Sequence, residues 1–567
     1  MPYRAPVADL RFIMDHVVGF SAVAKTDKFA EATPEMVDAI LTEAGRLCDD
    51  VLAPLQRSGD THPARLENGI VRTSPGFAEG YRAVAEGGWI GMSADPANGG
   101  MGLPMALTTA VNDMMSGACL ALQLNPLMTQ GQIEALEHHA SDEIKALYIP
   151  KLISGEWCGT MNLTEPQAGS DVGALRTKAE PNGDGSYAIT GQKIYISWAD
   201  NDFTKNVCHL VLARLPDGVP GTKGISLFMV PKLIPDANGA PGIRNNLRVV
   251  SLEHKMGLHG SPTAVMAYEG ATGWLVGSEH GGMAAMFTMM NNARLGVGVQ
   301  GIGVAEAATQ HALAYAMDRK QGRAGGTGSI VEHADVRRML AAMRAETFAA
   351  RAIAMSLAVA IDMGTATGDP LWKARAALLT PIAKAYGTDT GINVSGLGVQ
   401  VHGGMGFIEE TGAAQYSRDV RVTAIYEGTN GIQAMDLVGR KLMDGGEAAH
   451  RLLEEVCDRA EQAREAVPDL AEAVWDAAES LRECTEWMVS QTGADDRNAG
   501  AVPYLRAFAL ILGAQAHLVA ATSGDTSRLR LATYFIRRLL PEHASLLAQV
   551  REGAADLMAL GPDDLAA

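Results

Sequence analysis

One change of pattern constrains this chain more than any other: a stretch of short β-compatible runs is set between two long stretches of helical texture. Tyr187-Ala188-Ile189-Thr190, Lys193-Ile194-Tyr195-Ile196, Val207 through Leu212 and Ile225 through Val230 are separated by Gly, Pro, Asp and Asn, the pattern of strands joined by turns. Before them, apolar residues recur at helical spacing from Pro34 to about Ser154. The one interruption is Asp95-Pro96-Ala97-Asn98-Gly99-Gly100-Met101-Gly102-Leu103-Pro104, which holds too many breakers for a helix to continue. After them, long helices are predicted over about 282–318, 331–362 and 371–396, and a further helical module follows Gly445-Gly446. The spacing thus predicts four domains: an N-terminal helical domain over 1–157, a β domain over 158–282, a helical bundle over 283–442 and an additional C-terminal helical domain over 443–567.

A chain of 567 residues is past the length at which single cores stop growing, so several cores are expected and none needs cross-links. Cys48, Cys119, Cys158, Cys208, Cys457 and Cys484 follow no metal or disulfide spacing and read as buried thiols in a reducing compartment. A net charge of -18 repels nucleic acid and anionic membrane as a whole surface. No run approaches a charge-free apolar span, and the N-terminus, with Asp9 and Asp15, matches neither a secretory signal nor an Arg-rich transit peptide. A cytoplasmic protein is expected, without an integral membrane segment or a nucleic-acid partner.

Three stretches carry candidate chemistry. Residues 161–171, Met-Asn-Leu-Thr-Glu-Pro-Gln-Ala-Gly-Ser-Asp, offer hydroxyls and backbone amides suited to the polar atoms of a flat cofactor or a phosphate-bearing arm; an ordinary loop entering a β domain has the same composition. Gly403-Gly404-Met405-Gly406-Phe407 allows close backbone approach, but it fits neither common nucleotide fingerprint and also reads as a helix terminus. Ile425-Tyr426-Glu427-Gly428-Thr429 sets a carboxylate between an aromatic ring and a flexible backbone. Enclosed by apolar surface, that carboxylate would be tuned toward neutrality, as a general base needs; a salt-bridged surface Glu is the other reading.

Together with Gly191-Gln192-Lys193-Ile194-Tyr195-Ile196-Ser197, these stretches resemble, in order and separation, the motifs of the acyl-CoA dehydrogenase family, over about 77–441. The resemblance implies a mainly α fold with a central β-barrel, here with the additional C-terminal helical domain of the long bacterial forms, the 3-methylmercaptopropionyl-CoA dehydrogenase type among them. It also implies FAD as cofactor and α,β-dehydrogenation of an acyl-CoA substrate, a methylthio-acyl or fatty acyl thioester. Electrons would pass to an electron-transfer flavoprotein, with an acyl-CoA oxidase as the alternative within catalysis and a flavin-bearing DNA-associated protein as the alternative outside it.

By the same resemblance Glu427 is the base. The family's other base position falls on Ala293, which cannot serve. Met161, Leu163, Thr164, Tyr195 and Ser197 match the flavin side, with Ser197 standing where Thr is more usual. Ser170 matches a contact to the pantetheine or phosphate arm, and Asn291, Arg294, Tyr426 and Gly428 match the acyl-CoA site. Arg319 matches the pyrophosphate arginine, Gln400 and Gly404 the clamp at the other end, and Thr429 a further cofactor contact. A site of this kind is shared across a homodimer. Gly431 stands where many members carry a Gln, so the local cofactor contact is expected to differ.

Overall fold

The computed structural model describes residues 3–322 and 326–567. The chain divides into two compact units. The first comprises Met1–Thr42, Pro104–Gly117 and Arg294–Ala567, the second Glu43–Leu103 and Ala118–Ala293. No disulfide joins the cysteines among the described residues, and five of the six are buried.

The second unit is built on seven strands: β1 (Trp157–Asn162), β2 (Lys178–Pro181), β3 (Tyr187–Ser197), β4 (Asn206–Arg214), β5 (Ile225–Pro231), β6 (Leu247–Leu252) and β7 (Thr263–Val276). β4 and β5 are buried along almost their whole length, as continuous apolar runs in a covered sheet should be. Ile189, Ile196, Val211, Phe228, Val230, Met266 and Tyr268 form its core.

The expected closed β-barrel is corrected by the strand order. The path runs β6-β7-β3-β2-β4-β1, with β5 off it, pairing β7 and β4. Its end strands β6 and β1 each pair on one side only among the described residues. The reason lies in β2, which is four residues long and meets β4 at one residue pair, Lys178 opposite Arg214. No continuous ladder therefore runs round the sheet. The sequence runs predicted strands but carried no information on how they close.

The first unit is helical. It contains α1 (Val7–Phe12), the start of α2 (Met105–His139), most of α3 (Gly282–Asp318), α4 (Ala334–Thr367), α5 (Pro370–His402) and α6 (Asn430–Asp436). The C-terminal helices α7 (Glu447–Ala463), α8 (Pro468–Ser490), α9 (Ala501–Ala521), α10 (Thr526–Tyr534) and α11 (Glu542–Arg551) follow. The α4–α5 corner is written into the sequence. Gly368 ends α4 at φ 72°, Asp369 caps α5 through the Leu371 N–H, and Pro370 occupies the first turn, where its missing N–H costs nothing. α4 and α9 are long and apolar enough to cross a membrane, and 83% of the apolar window of each is buried inside the structure. α9 packs on α4, so their apolarity fills a core.

α3 and α5 touch backbone to backbone. A Cβ on Gly301 would meet the Gly387 carbonyl at 2.3 Å, one on Gly387 the Gly298 carbonyl at 2.5 Å, and one on Gly391 the Gly301 carbonyl at 2.7 Å. Only glycine permits this approach. The pairs advance in the same direction along both helices, to Ala308 beside Gly398 and Tyr315 stacked on His402 at 4.4 Å, so α3 and α5 run parallel.

Candidate active site

In the second unit, the loop after β1 is laced to β3. The Ile194 N–H donates to the Thr164 carbonyl at 2.9 Å and Lys193 Nζ donates to the Leu163 carbonyl at 2.9 Å. The same ammonium meets Glu165 at 2.8 Å. Glu165 also accepts from the Arg176 N–H, the Thr177 N–H and hydroxyl, and Gln167. Burial opposes its ionisation, but Lys193 and these donors outweigh it and hold the carboxyl at about 2. Burial in turn pulls Lys193 down to about 8, against the pull of Glu165.

β3 bulges at the middle of this loop contact. Ile194 and Tyr195 stand opposite the single residue Val265, and Tyr195 takes φ 60°. Such a bulge re-aims side chains: the Tyr195 ring is 62% exposed, and Ser197, the last residue of β3, pairs with Thr263. Met161, Leu163, Thr164 and Ser197 are half-buried, and Ser170 is exposed. The half-buried hydroxyls of Thr164 and Ser197 and the exposed Tyr195 ring are the kinds of group that suit a flat heteroaromatic ligand, and are compatible with a flavin.

In the first unit, the 426–428 loop is held from three helices. The Tyr426 hydroxyl donates to Gln300 of α3. Glu427 and Gly428 take φ 57° and 85° in succession, a conformation uncommon for a residue with a side chain. Lys384 Nζ of α5 donates to the Gly428 carbonyl at 2.8 Å and to Asn430 Oδ1 at 2.9 Å. Gln433 of α6, fully buried, donates to the Glu427 carbonyl at 3.3 Å. Thr429 is the N-cap of α6, accepting from the Ile432 N–H.

Glu427 Oε2 is buried with no hydrogen-bond partner among the described residues. Burial pushes the Glu427 carboxyl up to about 7, against the opposing charges of Arg294 and Lys384. Arg294, itself buried, is pushed below its usual value by burial. Burial also raises Tyr426, with Glu427 adding to it, so the ring hydroxyl stays protonated.

Of the residues singled out in the sequence, the structure groups Glu427, Tyr426, Gly428, Thr429 and Arg294 in the first unit, and Met161, Leu163, Thr164, Tyr195 and Ser197 in the second. Asn291 is exposed and Ala293 buried on α3. Arg319, Gln400 and Gly404 are exposed at the far ends of α3 and α5. From Arg294 to Asp318 there are 24 helical steps, about 36 Å at ~1.5 Å per residue, so this trio stands well apart from Glu427 in the same chain. A separate cavity of about 230 Å³ in the first unit, lined by Ile353, Trp372, Arg375, Glu455 and Leu512 among others, includes none of these residues. Sequence reasoning missed Lys384 and Gln433. The signal for Lys384 was a single charge in the otherwise apolar Pro381-Ile382-Ala383-Lys384-Ala385-Tyr386, where burial demands partners.

Family models match almost the whole chain: the acyl-CoA dehydrogenase N-terminal domain over 35–156, its middle domain over 160–271, its C-terminal domain over 280–443, and an acetyl-CoA dehydrogenase C-terminal-like domain over 451–561. The chain belongs to the acyl-CoA dehydrogenase family. It is an FAD-dependent enzyme that dehydrogenates an acyl-CoA thioester. Among acyl-CoA dehydrogenases of this kind, it is 44% identical over 519 residues to the 3-methylmercaptopropionyl-CoA dehydrogenase of Ruegeria pomeroyi, covering 89% of this chain and 88% of that one. A butyryl-CoA dehydrogenase of Syntrophomonas wolfei is 34% identical over 479 residues, covering 80% and 78%. The fold is shared with an acyl-CoA dehydrogenase from Bacillus anthracis solved with FAD, at a TM-score of 0.74 and 20% identity over 94% of this chain and 90% of that one.

Proposed function

We propose that the substrate is a short acyl-CoA, 3-methylmercaptopropionyl-CoA first among them, and that Glu427 takes its α-proton. The observation that carries the assignment of the base is the half-buried Glu427 carboxylate: with Oε2 buried and unpartnered among the described residues and held at about 7, it suits proton abstraction near neutral pH. The substrate class is supported by the relationship to the Ruegeria enzyme, and a thioether sulfur is nearly isosteric with the methylene of a fatty acyl chain, so short fatty acyl-CoAs are the natural competitors.

FAD, when bound, supplies the hydride acceptor for the β-carbon. Leu163, Thr164, Tyr195 and Ser197 hold its ring system, while the Glu427 backbone N–H stabilises the charge that develops on the thioester oxygen as the α-proton leaves. Asn291, Arg294, Tyr426 and Gly428 line the acyl-CoA site, and Ser170 meets its polar arm. Arg319, Gln400, Gly404 and Thr429 serve the dinucleotide elsewhere. The ~36 Å along α3 from Arg294 to its end at Asp318 exceeds what one dinucleotide spans, which supports a homodimer in which Arg319, Gln400 and Gly404 of one chain complete the site of its partner. Electrons go on to an electron-transfer flavoprotein, and the enzyme works in the cytoplasm with α4 and α9 as core helices. Several tail arginines are paired with carboxylates, as in Arg451–Glu447, Arg464–Glu461, Arg482–Glu479 and Arg506–Glu542, which speaks against a basic stripe for a nucleic-acid backbone there.

The test is a turnover screen of the purified flavoprotein with electron-transfer flavoprotein as acceptor, against the acyl-CoA series from propionyl to palmitoyl plus the methylthio compound. The highest kcat/KM should fall on 3-methylmercaptopropionyl-CoA or butyryl-CoA. A maximum on long chains, or equal turnover with oxygen alone, would overturn the substrate or the acceptor assignment.

A further inference from the structure

The structure assigns to Lys384 the role of a positioning residue, whose ammonium fixes the left-handed Glu427-Gly428 pair from α5 and so holds the base in its reactive place. This rests on the reading of Glu427 as the base. The geometry is specific. Lys384 is fully buried, and both recorded acceptors of Nζ lie on the loop and its helix: the Gly428 carbonyl at 2.8 Å and Asn430 Oδ1 at 2.9 Å. Asn430 is itself tied back to α5, donating to Asp389 at 2.7 Å and to Thr388 at 2.9 Å. One helix thus grips the residues that follow the base through a cation at one turn and an amide clamp at the next. Such a grip is needed because a non-glycine residue at φ 57° keeps that conformation only when its surroundings impose it.

The charges around the pair are arranged to let this cation act on the carboxylate. Arg294 approaches from α3, with Asp436 and Arg440 beyond it. Asp389 lies on α5 itself, with Arg506 of α9 and Arg421 near it, and Tyr426 stays neutral beside Glu427. Burial brings Lys384 down to about 8, with Glu427 and Asp389 opposing and Arg294 assisting. It is therefore a cation at neutral pH that favours the carboxylate form of Glu427, and it loses that effect in alkali.

The test uses the flavin-loaded Lys384→Met and Lys384→Arg variants, reduced anaerobically with butyryl-CoA and 3-methylmercaptopropionyl-CoA across the neutral range. Lys384→Met should retain flavin and enoyl-CoA binding, reduce its flavin ~10-fold more slowly at neutral pH, and show a rising limb displaced upward by about one pH unit, the least that loss of a near cation produces. Lys384→Arg keeps the charge and should keep the limb near its wild-type position. A Lys384→Met enzyme with wild-type rate and limb overturns the proposal. If that variant does not accumulate as folded holoenzyme, Asn430→Ala removes one of the two acceptors instead: slowed reduction at full flavin content supports the proposal, and a wild-type rate overturns it. Glu427→Gln, measured alongside, separates the two ideas. If it reduces flavin normally, the base reading falls and takes this one with it; if it is inactive while Lys384→Met is normal, only the role of Lys384 falls.

Discussion

At Glu427 the local backbone and the titration state serve one purpose. The side chain sits on a residue at φ 57°, has its Oε2 buried, and is raised to about 7 mainly by desolvation. Glu427→Gln keeps the shape but cannot accept the α-proton, so anaerobic flavin bleaching should fall at least ~100-fold, with enoyl-CoA binding kept. In the wild type the rate should rise with pH through about 7, because only the carboxylate accepts a proton. The sign is opposite for stability: a carboxyl raised in the folded state favours folding below its unfolded value, and that contribution is lost as pH rises toward 7. A bleaching rate within a few-fold of wild type in the variant would remove Glu427 as the base. The motif around Glu427 was legible in the sequence because its order and spacing matched a family pattern. Gln433 was not, because it stands two positions beyond Gly431, where many members carry a Gln, and turns inward to the Glu427 carbonyl.

Among the elements, apolar period and breakers located α3, α4 and α5 to within a few residues. The strands were harder. β7, fourteen residues long, went unnamed because Gly270 and Gly273 break its apolar alternation. The contact between α3 and α5 was invisible too, since Gly298, Gly301, Gly387 and Gly391 reveal a backbone crossing only once both helices are in place. The β1 loop shows a third kind of hidden role. Glu165 lies in the cofactor-side motif, yet it is the buried partner of Lys193 and ties together the segments that carry Thr164 and Ile194. Glu165→Gln leaves Lys193 without its counter-charge and should destabilise the second unit by about 3 kcal/mol, the scale for breaking a buried pair. Held at about 2 against an ordinary 4.5, Glu165 contributes stability above the ordinary value that is lost as pH falls toward 2. The two proteins should therefore converge in denaturation experiments at strongly acid pH. A gap that persists there would mean that packing, not charge, sets the cost.

Across the first unit as a whole, a single buried arginine joins segments far apart in sequence. Arg351 of α4 meets Asp113 of α2 at 2.7 Å, Asp9 of α1 at 3.0 Å and Glu306 of α3 at 3.0 Å. Arg528 of α10 reaches Asp9 at 2.6 Å while lying over the Phe12 ring at 4.2 Å, and Arg344 meets Glu306 at 2.8 Å. Three arginines face three carboxylates, so the cluster is neutral, and the C-terminal helices are bound through it to the N-terminal segment. No motif announces this, because the partners are far apart in sequence, Arg351 and Asp9 alone by 342 positions, and each alone looks like a surface charge. Arg351→Met would leave Asp113, Glu306 and Asp9 facing one another with too few cations, and should cost about 3–5 kcal/mol. Arg344→Ala, at the solvent-facing end of the cluster, should cost under ~1 kcal/mol. Burial opposes ionisation of Asp9 and Glu306, and the arginines override it to hold both below their usual range. In the wild type their contribution is present above the ordinary carboxylate range and lost as pH falls below it. In Arg351→Met the carboxylates lose the charge that kept them ionised and take up protons readily, so the deficit should shrink as the solution is acidified from neutral. Urea unfolding of both variants at neutral and mildly acid pH reads this directly. An Arg351→Met protein within ~1 kcal/mol of wild type, or a deficit that widens on acidification, would mean that apolar packing between these helices outweighs the ion cluster in joining the two ends of the chain.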